Sequence, residues 1–365
     1  MNRDARVRSV LFNLHLTGGL IAGLFLLIVG VSGTVLAFSD EIDAFLHPSI
    51  FKVALRGQPL PLTQLAANTT ATLSPGDVIA VYVPSVRPDR SYWFTVFPKQ
   101  GRLPRQVFVN QYTGEVLGNL GVVRFTLIMK GLHTIPIVMG CSSIVLMFLA
   151  PSGLYLWWRL KRIGINASSG FRRVSFDLHN SLGFFSSLFL FVFAATGAYM
   201  AFGRWTLPLT NAMTQSRPQQ RAVVSQPKNG VQPMSVDLAC SIAKNALPGA
   251  SILWVVIPSH SQAAYLVKMR FPEDHSDNGG SMVLIDQFSG NTLDVVSTRN
   301  ALPAQRVVNL NRVLHTGAIG GNTGRLLAAL ASLTLPLQAI TGGWLWWTKR
   351  RRRKDTITTQ HAKLL

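Results

Sequence analysis

FNLHLTGGLIAGLFLLIVGVSGTVLAF at residues 12–38 and FDLHNSLGFFSSLFLFVFAATGAYMAF at residues 176–202 are two versions of one segment, with His15 aligned to His179, Gly33 to Gly197 and Phe38 to Phe202. Both are dominated by a long apolar run. Residues 16–38 and 180–203 contain no Asp, Glu, Lys or Arg, and neither do residues 134–158 and 326–347. Each of these four runs is about as long as a helix needs to cross ~30 Å of hydrocarbon. A chain that is 48% hydrophobic and 14% charged, with its apolar residues gathered in four blocks, has a membrane composition. The first block follows Arg3, Arg6 and Arg8 like a signal peptide, but its apolar core exceeds a typical signal core and it has a full counterpart at 176–202, so it reads as a span.

The correspondence runs on beyond these segments. VFVNQYTGEVLG from Val107 parallels VLIDQFSGNTLD from Val283, and KGLHT, with Lys130 and His133, parallels RVLHT, with Arg312 and His315. Each half then closes on an apolar run ending GLYLWWRLKR or GGWLWWTKRR. The sequence thus predicts an α-helical integral membrane protein of four transmembrane helices in two parallel repeats, each with an outer α+β module. The expected boundaries are 1–38 for the tail and first span, 39–132 for the first module and 133–159 for the second span. A loop at 160–178, a third span at 179–203, a second module at 204–314, a fourth span at 315–348 and a basic tail at 349–365 follow. VIAVYVP, SYWFTVF and RQVFVNQ, like ILWVVIP, AAYLVKMR and SMVLIDQ, read as strands, and 236–246 as a helix on them, giving a small antiparallel sheet per module.

The positive charge sets the orientation. Of the 35 Lys and Arg, three lie in the N-terminal tail, five between Arg159 and Arg173, and seven from Lys349 onward. Short basic segments stay cytoplasmic, which puts both termini and the 160–178 loop inside and the two modules outside. The net charge of +20 is accordingly topology and attraction to the lipid bilayer, and no basic, aromatic-interleaved stretch suggests nucleic acid. Cys141 and Cys240 fall in a span and a module and form neither a disulfide framework nor a metal cluster.

Four of the eight histidines occupy matched points of the repeat. His15 and His179 sit near the inner ends of the first and third spans, His133 and His315 at the outer ends of the second and fourth. Polar residues at membrane depth are costly and usually functional. Two imidazoles from facing helices can hold a planar haem within a bundle, so two levels of such pairs describe an electron wire across the bilayer. Lys130 and Arg312, each three residues before an outer histidine, and Arg8 and Arg172, each seven before an inner one, are suited to haem propionates. The span glycines Gly18, Gly19, Gly23, Gly30, Gly33, Gly183 and Gly197 suit either helix packing or close approach to a flat macrocycle.

In its order of elements, its NQYTGEVLG and DQFSGNTLD motifs, and its Leu-His and Trp-Trp flanks, the whole chain resembles the PepSY-associated transmembrane proteins, and most of all the inner-membrane ferric-siderophore reductases. That resemblance implies periplasmic PepSY-like modules, two haem b groups on His15, His179, His133 and His315, and reduction of a ferric siderophore to release Fe(II). It implies a bacterial inner-membrane location. No nucleotide-binding loop is present, so the electron donor is expected to be a cytoplasmic protein or a quinol. Trp93, Tyr92, Arg124 and Arg306 are candidate substrate contacts, against sheet packing for the aromatics and headgroup contact for the arginines. A siderophore permease and a PepSY-type sensor are the alternative functions; neither needs paired histidines inside the membrane.

Overall fold

An apolar run from Leu16 onward, unbroken by proline, carries α1 (Arg3–Leu36) to a length of 34 residues. The computed structural model describes residues 3–84, 87–99, 103–121, 124–216, 224–227, 230–276 and 278–362, with side chains described to 352. After α1 come α2 (Ser39–Leu46), α3 (Pro48–Phe51), α4 (Leu62–Thr70), β1 (Val78–Val83), β2 (Tyr92–Phe97), β3 (Arg105–Val109), β4 (Val116–Gly121), α5 (Phe125–His133) and α6 (Pro136–Trp158). The second half runs α7 (Phe171–Ala201), α8 (Gly203–Met213), α9 (Val236–Ala246), β5 (Ser251–Val256), β6 (Tyr265–Arg270), β7 (Ser281–Ile285), β8 (Thr292–Val296), α10 (Pro303–Thr316) and α11 (Gly321–Ala362).

The chain divides into a helical unit, Met1–Phe38, Met129–Thr206 and Leu314–Leu365, and a sheet unit, Ser39–Ile128 and Leu207–Val313. Among the described residues, four helices are long and apolar enough to cross a membrane: α1, α6, α7 and the stretch Ala318–Arg352, with mean hydropathies of 2.3, 1.9, 1.7 and 1.5. Small residues bring them together. A Cβ on Gly30 would stand 2.7 Å from Leu335 Cβ and from Pro336 Cδ and 2.8 Å from the Ser332 carbonyl oxygen. Pro336 has no N–H to offer that carbonyl, and α1 presses its glycine on the same turn. At the end of α1, Arg325 donates to the Ala37 carbonyl at 2.6 and 3.0 Å and lies over the Phe38 ring, occupying an acceptor that the helix cannot satisfy itself.

Two expectations from the sequence are revised. His133 and His315 were placed at the heads of spans; instead they belong to the separate short helices α5 and α10. Ile135 precedes Pro136 and is held extended, which ends α5 at His133. Gly317, in the left-handed region at φ 73°, ends α10 just beyond His315. The modules were expected as two small sheets. The structure has one eight-stranded sheet among the described residues, ordered β4-β3-β2-β1-β5-β6-β7-β8, joined by antiparallel pairing of Val81 with Val256 and Tyr82 with Val255. Kept apart, β1 and β5 would each expose an apolar, β-branched edge to self-association. Joined, they leave at the margins β4 and β8, where Gly118, Asn119 and Asp294 interrupt the apolar pattern.

One face of that sheet is the core. β6 and β7 alternate buried and half-buried residues with period two, and the buried set, including Phe94, Val109, Val255, Val267, Val283 and Ile285, packs with Leu65 of α4 and Ala239 and Ala243 of α9. The halves also cap each other: the Leu62 and Thr63 N–H groups at the start of α4 donate to the Asp237 carboxylate of α9 at 2.8 and 2.9 Å. The repeated turn motifs act as clamps. Gln111 Nε2 donates to the Pro88 and Arg90 carbonyls, and Gln287 Nε2 to those of His260, Ser261 and Ala263.

Asp286, at the head of the second turn, accepts from the N–H groups of Phe288, Ser289 and Gln226, each at 2.8 Å. Burial opposes its ionisation, but these donors outweigh it and hold the carboxyl below its ordinary pKa. A depressed pKa contributes stability above the unfolded value near 4 that is lost as pH falls through the folded one. Asp286→Asn should therefore lower the melting temperature of the full chain by a few degrees at pH 7, and the gap to wild type should narrow as pH drops below about 4 in thermal unfolding series.

Candidate functional site

The helical unit places the four repeat-matched histidines in two pairs. The ring centroids of His15 on α1 and His179 on α7 are 6.5 Å apart, with planes at 85°. Those of His133 on α5 and His315 on α10 are 6.2 Å apart, at 55°. Two imidazoles bound through nitrogen on opposite sides of one transition-metal atom would have centroids about 6.2 Å apart, given metal–nitrogen bonds of about 2 Å and a ring radius of about 1.1 Å. All four rings are partly exposed despite their apolar setting.

Every one of these rings has the same two neighbours. Nδ1 of His15 lies 2.9 Å from Ser152 Oγ, that of His133 3.0 Å from Ser32 Oγ, that of His179 3.0 Å from Thr341 Oγ1, and that of His315 2.9 Å from Thr196 Oγ1. The hydroxyl protons are engaged elsewhere: Ser32, Thr196 and Thr341 donate to the carbonyls of Ile28, Val192 and Leu337 at 2.6–2.7 Å, and Ser152 to that of Leu149 at 3.1 Å. Each hydroxyl oxygen is therefore the acceptor and each histidine carries its proton on Nδ1, which leaves the Nε2 lone pair for a ligand bond.

The residue after each hydroxyl is a glycine, and a Cβ there would meet a histidine ring. Gly153 would touch His15 Cε1 at 3.0 Å, Gly33 His133 Cε1 at 3.2 Å, Gly342 His179 Cε1 at 3.2 Å and Gly197 His315 Cε1 at 3.3 Å. Every span thus carries one hydroxyl-glycine dipeptide as a seat for a histidine from another helix. Seventeen residues separate His15 from Ser32 on α1, and seventeen separate His179 from Thr196 on α7. At 1.5 Å per residue the two levels lie roughly 25 Å apart. Ala22, Leu26, Leu146, Leu149, Leu190, Ala194 and Leu335 fill the apolar cluster in this bundle.

With this geometry in hand, the comparison with known families decides the kinship: the model of the PepSY-associated TM region matches residues 12–349. The chain belongs to the PepSY-associated TM family. With four apolar helices, this member is a multi-pass membrane protein. No curated protein matches it.

The remaining residues singled out in the sequence are dispersed in this PepSY-associated TM protein. Arg8, Arg172, Lys130 and Arg312 are exposed, each on the helix of its histidine. Arg124 is drawn into the sheet unit, 3.4 Å from the buried Asp43 carboxylate, which also accepts from the Thr126 hydroxyl at 2.7 Å, and it lies over the Phe51 ring. Arg306 Nε donates to the Ala301 carbonyl at 3.0 Å. Trp93 lies 6.5 Å from Phe108, and half-buried Tyr92 packs against the core, where burial first and Tyr112 second raise its phenol pKa. Gly30 and Gly183 serve contacts between helices, Gly183 against Gln338, while Gly33 and Gly197 face the histidines. An open surface depression in the loop after α6 is lined by Lys161, Arg162, Asn166, Arg173 and Asp177 and by no histidine.

Proposed function

We propose that this protein is an inner-membrane di-haem reductase that carries electrons across the bilayer to a ferric siderophore in the periplasm, releasing Fe(II). The observation that supports it is the recurrence, at two levels, of facing histidines at bis-imidazole spacing, each with its Nδ1 proton fixed by a hydroxyl and its ring seated on a glycine. This donor set fits haem b: neutral imidazole is a good axial ligand to iron, and a partner on Nδ1 is what orients such a ligand.

When bound, the two haems supply one-electron carriers at the two levels. His15 with His179, and His133 with His315, would hold the two haems, each offering its Nε2 lone pair. Ser152, Thr341, Ser32 and Thr196 hold the ring protons on Nδ1, and the leucines and alanines between the levels exclude water. Arg8 and Arg172 at one end and Lys130 and Arg312 at the other would pair with propionates. One electron from a cytoplasmic donor, or each of the two released with two protons when a quinol becomes a quinone, ends on one substrate iron, which passes from Fe(III) to Fe(II) and is then held far less tightly by hard oxygen ligands. The basic tail and the 160–178 loop are assigned to the cytoplasm, the sheet unit to the periplasm, and the two halves to a parallel repeat.

Protein purified in detergent from haem-replete cells should show a b-type spectrum with two haems per chain. The dithionite-reduced form should reoxidise when a ferric siderophore is added under anaerobic conditions. Colourless protein would overturn the electron-transfer reading, and a coloured protein indifferent to ferric chelates would overturn the substrate.

A further inference from the structure

We propose that Ser32, Ser152, Thr196 and Thr341 are positioning residues that lock the planes of the four histidine rings, and that they lock the two pairs differently, so that the two levels are distinct in spectrum and in potential. The inference rests on the di-haem reading and adds to it a built-in inequivalence of two sites that look alike in sequence.

Each ring is held at two points. The Nδ1 hydrogen bond fixes its edge, and the hydroxyl cannot swing away, because its own proton is committed to a carbonyl of its own helix. The following glycine lets the ring lie against bare backbone at Cε1, so the plane is set by the helix and not by a rotatable neighbour. The two pairs nevertheless end at different angles, 85° for His15 and His179 and 55° for His133 and His315. Their surroundings differ as well. Phe193 stands edge-on to the His315 ring at 6.1 Å, whereas the residue that matches it in the first half is Val29. At the other level, Gln338 Nε2 donates to the His179 carbonyl at 3.0 Å from the helix that carries Thr341.

The angle between axial imidazoles sets which iron d orbitals the ligands raise. Near-perpendicular rings leave two of these orbitals almost degenerate and give low-spin ferric iron a large maximum g-value; rings closer to parallel split them and give a smaller one. The Nδ1–H bond in turn makes the ligand nitrogen more basic, favours ferric iron and lowers the midpoint potential. The four hydroxyls therefore control both quantities, level by level.

The test uses the full-length protein in detergent, read by electron paramagnetic resonance and by redox titration. The oxidised protein should give two low-spin signals, and the one with the larger maximum g-value should be the one abolished by His179→Ala. Ser152→Ala combined with Thr341→Val should move that signal and raise that level's potential, leaving the other level unmoved, and Ser152→Thr with Thr341→Ser should restore both readings. Loss of haem from that level alone, rescued by the same exchange, has the same meaning. Two identical signals, or a double variant that keeps both haems with signal and potential unchanged, would overturn the proposal while leaving the di-haem reading intact. A variant defect that the Ser and Thr exchange does not rescue would also overturn it. A wild-type protein without haem would sink the underlying reading instead.

Discussion

Replacing His179 with alanine is expected to halve the haem content of the purified protein, from two per chain to one, and to leave the second level loaded. The loss should be of this size because the two proposed ligands of that level come from different helices, α1 and α7, and the residues that seat the His179 ring offer no replacement. Thr341 presents a hydroxyl whose proton is already engaged with Leu337, and Gly342 presents no side chain at all. His133→Ala should strip the other level in the same way, since its seat is Ser32 and Gly33 on α1. The two variants separate by level because roughly 25 Å of apolar packing lies between them. Pyridine haemochrome quantification against protein checks the count, with His47→Ala, which has no counterpart in the repeat, as the control that should keep both. Two haems surviving in His179→Ala would remove this residue from the ligand set.

Gly30→Ala should be a damaging single-carbon addition at the contact between α1 and α11. The new methyl would stand 2.7 Å from Leu335 Cβ and Pro336 Cδ and 2.8 Å from a backbone oxygen, and none of these is the flexible end of a side chain. α1 and α11 must then separate, which stretches the Thr34 hydroxyl contact to the Ala329 carbonyl one turn on and shifts Ser32 and Gly33 beneath His133. Overpacking of this kind costs about 1–3 kcal/mol. The expected result is a lower melting temperature in detergent together with preferential loss of the His133/His315 level. Gly19→Ala is the comparison: its Cβ meets nothing within 4 Å, and replacing a mid-helix glycine by alanine should be neutral or slightly stabilising. Equal melting temperatures for the two variants would contradict the close approach of α1 and α11 at Gly30.

Much of this was legible in the sequence, and what was missed has physical reasons. The spans follow from uncharged runs of sufficient length, and sorting the histidines by level needed only the repeat and the charge asymmetry. Most strands of the sheet unit fell within a residue or two of where period-two alternation put them, and α9 spans Val236–Ala246 as read. The hydroxyl-glycine seats were overlooked because serine and threonine inside a span are also ordinary helix-packing residues. Their signal was recurrence: Ser32-Gly33, Ser152-Gly153, Thr196-Gly197 and Thr341-Gly342 put such a dipeptide in every span. The break at Pro136 was passed over because it lies inside an uncharged run, and ending α10 at Gly317 depends on a backbone angle that composition does not encode. The fusion of the two modules was beyond local reasoning, since it rests on the meeting of Val81 and Tyr82 with Val256 and Val255, about 170 residues away.

That seam between β1 and β5 also dictates the order of biogenesis. α6 and α7 lie between the two strands, so the ribosome releases β1 long before β5 exists, and two spans must be inserted before the central ladder can close. Contacts so distant in sequence form slowly. Through that interval β1 offers a bare apolar edge to whatever chain is nearby. The nascent protein is most at risk of aggregation halfway through its own synthesis, and arrival of the second half removes the hazard.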